Sequence, residues 1–162
     1  MAQVDYFLKL DGVDAESTDS KHKGEIELES FSWGESNSGT AGHGGGAGAG
    51  KVVASDFHFV KKLDKASPVL MIACATGQHF KSAVLTTRKA GGEQHDYFKV
   101  TMSDVLVTSY QLGGATASDI VPTEQVSMNF AKLEMAYKEQ KADGSLGGEV
   151  KQGYNYAENK KV

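Results

Sequence analysis

The residues of this chain that invite a chemical reading are a glycine-rich tract, five histidines and a single cysteine. The tract runs Gly39-Thr40-Ala41-Gly42-His43-Gly44-Gly45-Gly46-Ala47-Gly48-Ala49-Gly50-Lys51. Within it, Gly45 to Lys51 fits the glycine-and-lysine frame of a phosphate-binding loop. That loop works because backbone N–H groups and a helix N-terminus cradle phosphates, while a Ser or Thr after the lysine holds magnesium. Here Val52 stands in the Ser/Thr position, and Val53 to Phe59 alternate as a strand does. No apolar strand ending in Asp follows to orient a metal. A nucleotide site is therefore not expected. Unstructured tracts beyond about 12 residues are functional or disordered. Glycine lets backbone approach backbone closely, which suits a loop lying across a neighbouring subunit. The candidate contact residues are Ser36, Gly39, Gly44, Gly46, Gly48, Gly50 and Lys51; solvated chain without a role is the alternative.

The other reactive side chains assemble into nothing catalytic. His22, His43, His58, His79 and His95 show no pair at metal-ligand spacing. Cys74, alone, excludes an intramolecular disulfide and any multi-cysteine metal site, and reads as a small core hydrophobe. Nothing marks a nucleophile elbow. Glu124, after Pro122-Thr123, reads as the start of a strand and not as a general base. Arg88-Lys89 reads as an exposed basic pair, too small for a nucleic-acid patch. Trp33 fits an interface anchor or the core equally. No enzyme activity, cofactor or metal is expected.

The elements that would position these residues are mostly strands. The 162 residues suit one domain, 1–162, able to bury a core without staples. Glycine is over-used at 19 residues, against about 7% in an average chain, while proline is scarce at 2, which points to turns, bulges and a pliable loop. The net charge of −4 gives no electrostatic footprint for nucleic acid or an anionic membrane. No run approaches the roughly 18 apolar residues of a membrane helix. The start, Met-Ala-Gln-Val-Asp, lacks the basic patch and apolar stretch of a signal peptide, so assembly in the cytoplasm is expected.

Two-residue alternation dominates. Val4 to Leu10 sets Tyr6, Leu8 and Leu10 on one face. From Gly24 to Gly34, Ile26 and Leu28 lie in one phase and Phe31 and Trp33 in the other, which implies a bulge or two-sided packing. In Val52 to Lys62, Val53, Phe57 and Phe59 are set against Ser55 and Lys61. Ser67 as N-cap, Pro68 at the first helical position and Gly77 beyond the end punctuate one short helix. That segment is apolar almost all round and is expected to be buried; a buried strand is the alternative. Strands resume at Phe80 to Lys89, a turn follows at Ala90 to Glu93, and Tyr97 to Met102 and Val105 to Leu112 flank a tight corner at Ser103-Asp104. Gly113 to Ser118 reads as a flexible loop. Val126 to Tyr137 changes phase between Phe130 and Leu133, Asp143 to Gly148 turns, and Tyr154 with Tyr156 marks a last short strand. The fold class is mainly β: an antiparallel β-barrel with one short α-helix and an extended Gly-rich loop.

Taken in order, these segments resemble the Hcp (haemolysin-coregulated protein) family, the tube protein of type VI secretion. Ser32-Trp33-Gly34-Glu35-Ser36-Asn37-Ser38-Gly39, the glycine tract and Lys51-Val52 look like its second strand and extended loop. Leu63 to Met71 and Cys74 to His79 resemble the approach to its single helix and the end of it. Arg88 to Gly92, Glu124 to Phe130 and Gln140 to Gly144 continue the likeness. It implies a homo-hexameric ring, with rings stacking into a tube inside a contractile sheath, tipped by a spike and expelled from the cell without a cleavable signal peptide. Some members hold small effector proteins in the lumen. On this resemblance Ser30 and Ser32 face the lumen; a solvent face or a subunit seam is the alternative. The competing classes are a ligand-binding β-barrel, which requires space among Phe57, Phe59, Leu85, Phe98, Val100, Leu133 and Tyr137, and a P-loop hydrolase.

Overall fold

The computed structural model describes residues 4–39, 50–89, 94–116 and 121–162. Its elements in chain order are β1 (Val4–Leu10), β2 (Ile26–Leu28), β3 (Ser30–Ser32), β4 (Glu35–Asn37), β5 (Val52–Ala54), β6 (Phe57–Lys62), α1 (Ser67–Thr76), β7 (His79–Lys89), β8 (Asp96–Gly113), β9 (Thr123–Gln140), β10 (Leu146–Asn155) and β11 (Lys160–Lys161). The ladders of the described residues are antiparallel; for β7–β8, β8–β9 and β9–β10 the short connections between successive strands require it.

β8 and β9 form the spine, paired from Phe98↔Tyr137 to Gly113↔Thr123. The far edge of β9 is shared: β6 pairs with Thr123 to Met128, and β10 with Lys132 to Gln140. On the other side the order continues β7, β1, β2. The path back to β6 is made by the chain itself. β2 pairs with β1 and β3 pairs with β6, while the N–H of Glu29, between them, donates to Val60 O at 2.8 Å. Among the described residues no continuous ladder closes the sheet; one covalent segment, Ile26 to Ser32, spans the two sides. The phase change read from that segment is this handover.

Inside lie Leu8, Leu10, Ile26, Phe57, Phe59, Leu85, Val105, Val126 and Met128, all essentially without exposure. Burying each phenylalanine contributes about 2 to 3 kcal/mol. The inward set switches parity in both spine strands at one level, between Met102 and Val105 and between Phe130 and Leu133. Ser103-Asp104 is therefore no corner: β8 runs through it, and Asp104 alone takes a left-handed φ of 54°, which a short polar side chain tolerates.

The helix is punctuated almost as expected. Its N-cap is Ala66, one residue before Ser67, and Gly77 closes it at φ 69° with its N–H donating to Ala73 O at 3.0 Å. Its burial is not as expected. Leu70 and Ala73 face the sheet, but Val69, Met71 and Ile72 are 37%, 48% and 49% exposed. Leu70 and Ala73 join the core cluster of the strands, and a helix that meets a core along one stripe leaves its other faces open, whatever its composition.

Candidate functional site

The glycine tract leaves the barrel on a small hairpin. β4 and β5 form a two-stranded sheet of their own, in register Glu35↔Ala54, Ser36↔Val53 and Asn37↔Val52. Its base is tied by Ser55, whose hydroxyl donates to Gly34 O and accepts from Gly34 N–H, both at 2.9 Å. Ser36, Gly39 and Lys51 are exposed, and Val53 is 65% exposed. Gly50 has little room for a side chain: a Cβ there would press on the Ser38 hydroxyl and meet Asn37 Oδ1 and the Ser38 carbonyl carbon at 3.1 Å each. The two limbs thus converge as they leave the ladder. Gly44, Gly46 and Gly48 lie outside the described residues, as do His43 and the turn at 90–93. Lys51 leads into strand β5 and not into a helix, so this lysine has no helix N-terminus beside it to hold phosphate.

Ser30 and Ser32 are both exposed, opposite Val60 and His58. Between them Phe31 turns inward, stacked on Phe57 at 5.7 Å and edge-on to Tyr6 at 5.1 Å. Trp33 is half-buried and meets Phe130 at 6.2 Å, which places it against the core cluster.

Reading the sequence alone misplaces two cations, Lys61 and Arg88, and does not reveal that Glu124, at the start of a strand as expected, is buried. Lys61 shares the inward face of Phe57 and Phe59 and has no exposure. Its ammonium contacts Asp64 Oδ1 at 2.9 Å, Ser67 Oγ at 3.1 Å, Lys62 O at 3.0 Å and the Glu124 carboxylate. Glu124, also without exposure, accepts in turn from the Tyr110 hydroxyl. Burial and the bond to Glu124 push the Tyr110 phenol up to about 12. Glu124 does start β9, yet it is a buried ion-pair partner. Arg88 is 2% exposed, not a surface cation: it forks onto Asp19, lies 3.8 Å from Asp5 and sits 5.0 Å over the Phe7 ring. The Arg88 bond holds the Asp19 carboxyl well below the usual carboxylate range.

Apart from Arg88 Nε, which has no hydrogen-bond partner among the described residues, these clusters are closed and paired, which suits cross-linking of elements and not turnover. His22 bridges Glu25 at 2.7 Å and Asp96 at 3.1 Å and stacks on Phe7 at 4.5 Å, fastening the β1–β2 connection. Among the described residues no three His, Cys, Asp or Glu side chains come together as metal ligands. Phe57, Phe59, Leu85, Val100 and Leu133 fill the interior, so no observation favours a ligand-binding barrel; Tyr137, 44% exposed, lies outside it, and Phe98 is half-buried. The open cleft between hairpin and C-terminal segment measures about 720 Å³ and is lined by Glu35, Asn37, Gly50, Lys51, Val52, Tyr154 and Asn159.

Residues 7–137 match a protein family described as type VI secretion system effector, Hcp. The protein hcp1 of Pseudomonas aeruginosa is 49% identical over 158 residues, covering 96% of this chain and 97% of that one. A solved type six secretion system protein superposes with a TM-score of 0.93 at 34% identity, covering 99% of this chain and all of the other. Hcp1 from Salmonella typhimurium superposes with a TM-score of 0.82 at 34% identity over the full length of both.

Proposed function

We propose, since the chain belongs to the Hcp family and is a structural tube protein of the type VI secretion system, not an enzyme, that its copies close into six-membered rings stacked head to tail. Residues 1–162 act as one building block of the ring. The tract from Ser36 to Lys51, carrying Gly39, Gly44, Gly46, Gly48 and Gly50, reaches the neighbouring subunit or the next ring. Rings assemble in the cytoplasm, run inside a sheath beneath a spike, and leave without a cleavable signal peptide. Ser30 and Ser32 face the lumen, where small effector proteins ride.

One observation carries this reading: among the described residues β4 and β5 pair only with each other, leaving open backbone edges and an exposed Val53 on an arm apart from the main sheet. Unpaired strand edges are templates for another chain. A contact between unlike faces of identical copies closes into a ring in one direction and grows without limit in another.

Negative-stain electron microscopy of the purified chain tests it. Six-fold annuli are expected, and a chain that stays monomeric at high concentration sinks the proposal. Replacing residues 40–49 by a short linker should abolish ring or tube formation; unchanged rings and tubes would remove the role of the tract.

A further inference from the structure

The hairpin's own ladder does nothing to set its angle to the barrel. Ser55 ties the two limbs to each other, and the chain enters at Gly34, which has no side chain and open space where one would be. An isolated two-stranded ladder is marginal in water. At the foot of the second limb Asp56 accepts from Thr108 Oγ1 at 2.7 Å and Asn129 Nδ2 at 3.1 Å, and the first limb is reached by Tyr156, whose hydroxyl donates to Glu35 Oε2 at 2.6 Å. Tyr156 is itself well placed. Its N–H donates to Ala131 O at 2.8 Å, continuing the β9–β10 pairing past Asn155. Its ring stands edge-on to Phe130 at 5.8 Å and to Tyr154 at 5.1 Å, in the aromatic group that also seats Trp33. Burial and the Glu35 bond raise the phenol well above its ordinary pKa, so the donor keeps its proton through the neutral and alkaline range.

We propose that the Tyr156–Glu35 hydrogen bond is a latch that sets the angle of the β4–β5 hairpin, and that Tyr156 is thereby a positioning residue for ring assembly. This rests on the reading that the hairpin carries the contact tract. An arm pivoting at Gly34 must be ordered each time it docks, and ordering costs affinity. A hydrogen bond to a charged acceptor is among the stronger ones. The C-terminal segment thereby acts on a contact made by residues more than a hundred positions earlier.

Tyr156→Phe removes the hydroxyl and keeps the ring. In the full chain it should raise the concentration at which rings dissociate roughly ten-fold by sedimentation velocity, speed amide exchange in β4 and β5, and leave the melting temperature near that of the parent. Glu35→Gln, which still offers the phenol an oxygen but without the charge, should fall between the parent and Tyr156→Phe. Glu35→Ala should match Tyr156→Phe, and the double variant should be no worse than either. Unchanged exchange in Tyr156→Phe overturns the latch. Faster exchange with unchanged ring dissociation overturns its role in assembly. Should the linker replacement of 40–49 leave rings intact, the contact reading fails instead, and exchange in β4 and β5 still judges the latch separately.

Discussion

Lys61 and Glu124 are direct cross-strand partners in the β6–β9 ladder, and neither side chain has any exposure. Their pairing joins two strands 63 positions apart and, through Asp64 and Ser67, holds the start of α1 against the barrel. Such a pair is costly to break, since removing one partner strands the other as a buried charge. Lys61→Met should therefore destabilise the chain by about 3 to 5 kcal/mol in urea unfolding. Adding Glu124→Gln, which removes the orphan charge and still accepts from Tyr110, should recover a large part of that loss. A double variant as unstable as the single would show that lost packing, not stranded charge, sets the cost.

The Arg88–Asp19 pair predicts an acid limb of the stability curve. Arg88 lowers the Asp19 pKa in the folded chain, so the unfolded chain takes up that proton first. The contribution is complete above the ordinary aspartate value near about 4 and is lost as pH falls through the lower folded value. Asp19→Asn should cost about 2 kcal/mol at pH 7, as loss of a charged hydrogen bond does, and progressively less towards pH ~2. Urea midpoints of the two proteins at several pH values check this. A difference that stays constant across that range would refute the assignment.

What was legible in the sequence follows from which forces act locally. Alternation in β1 and β9, the phase change across Glu29 and Gly77 as the residue that ends the helix are properties of neighbouring residues, and each stands where it was read. Lys61 and Arg88 were misread because a cation alone belongs in water. Lys61 has the parity of Phe57 and Phe59, so alternation alone turns it inward; what the sequence pattern does not carry is the carboxylate, 63 positions away for Lys61 and 69 for Arg88, that keeps the cation there. Ser103-Asp104 misled for a related reason: its composition is that of a turn, but pairing of Ser103 and Val105 to β9 carries the strand through the left-handed Asp104. The helix composition spoke for full burial, while its place on the outer surface leaves Val69, Met71 and Ile72 open. Of the contact site, Gly50 has a local reason to be glycine, whereas the bond from Tyr156 to Glu35 spans 121 positions and left no trace in the sequence pattern.

The lumen assignment of Ser32 can be separated from its alternatives by one substitution. Ser32 is exposed, and its neighbour Phe31 supplies the packing on the opposite face, so a longer side chain there meets no core. Ser32→Arg should change stability by no more than about 0.5 kcal/mol, as exposed substitutions usually do. Facing the lumen, six copies of that guanidinium would crowd and charge the passage. Capture of a small effector by purified rings should then fall at least roughly ten-fold, the scale of losing one or two well-made contacts, with annuli unchanged in electron micrographs. Rings that fail to form would place Ser32 at a subunit seam. Intact rings with unaltered capture would place it on the outer wall, and the same pair of measurements on Ser30→Arg tells whether β3 presents one face or two.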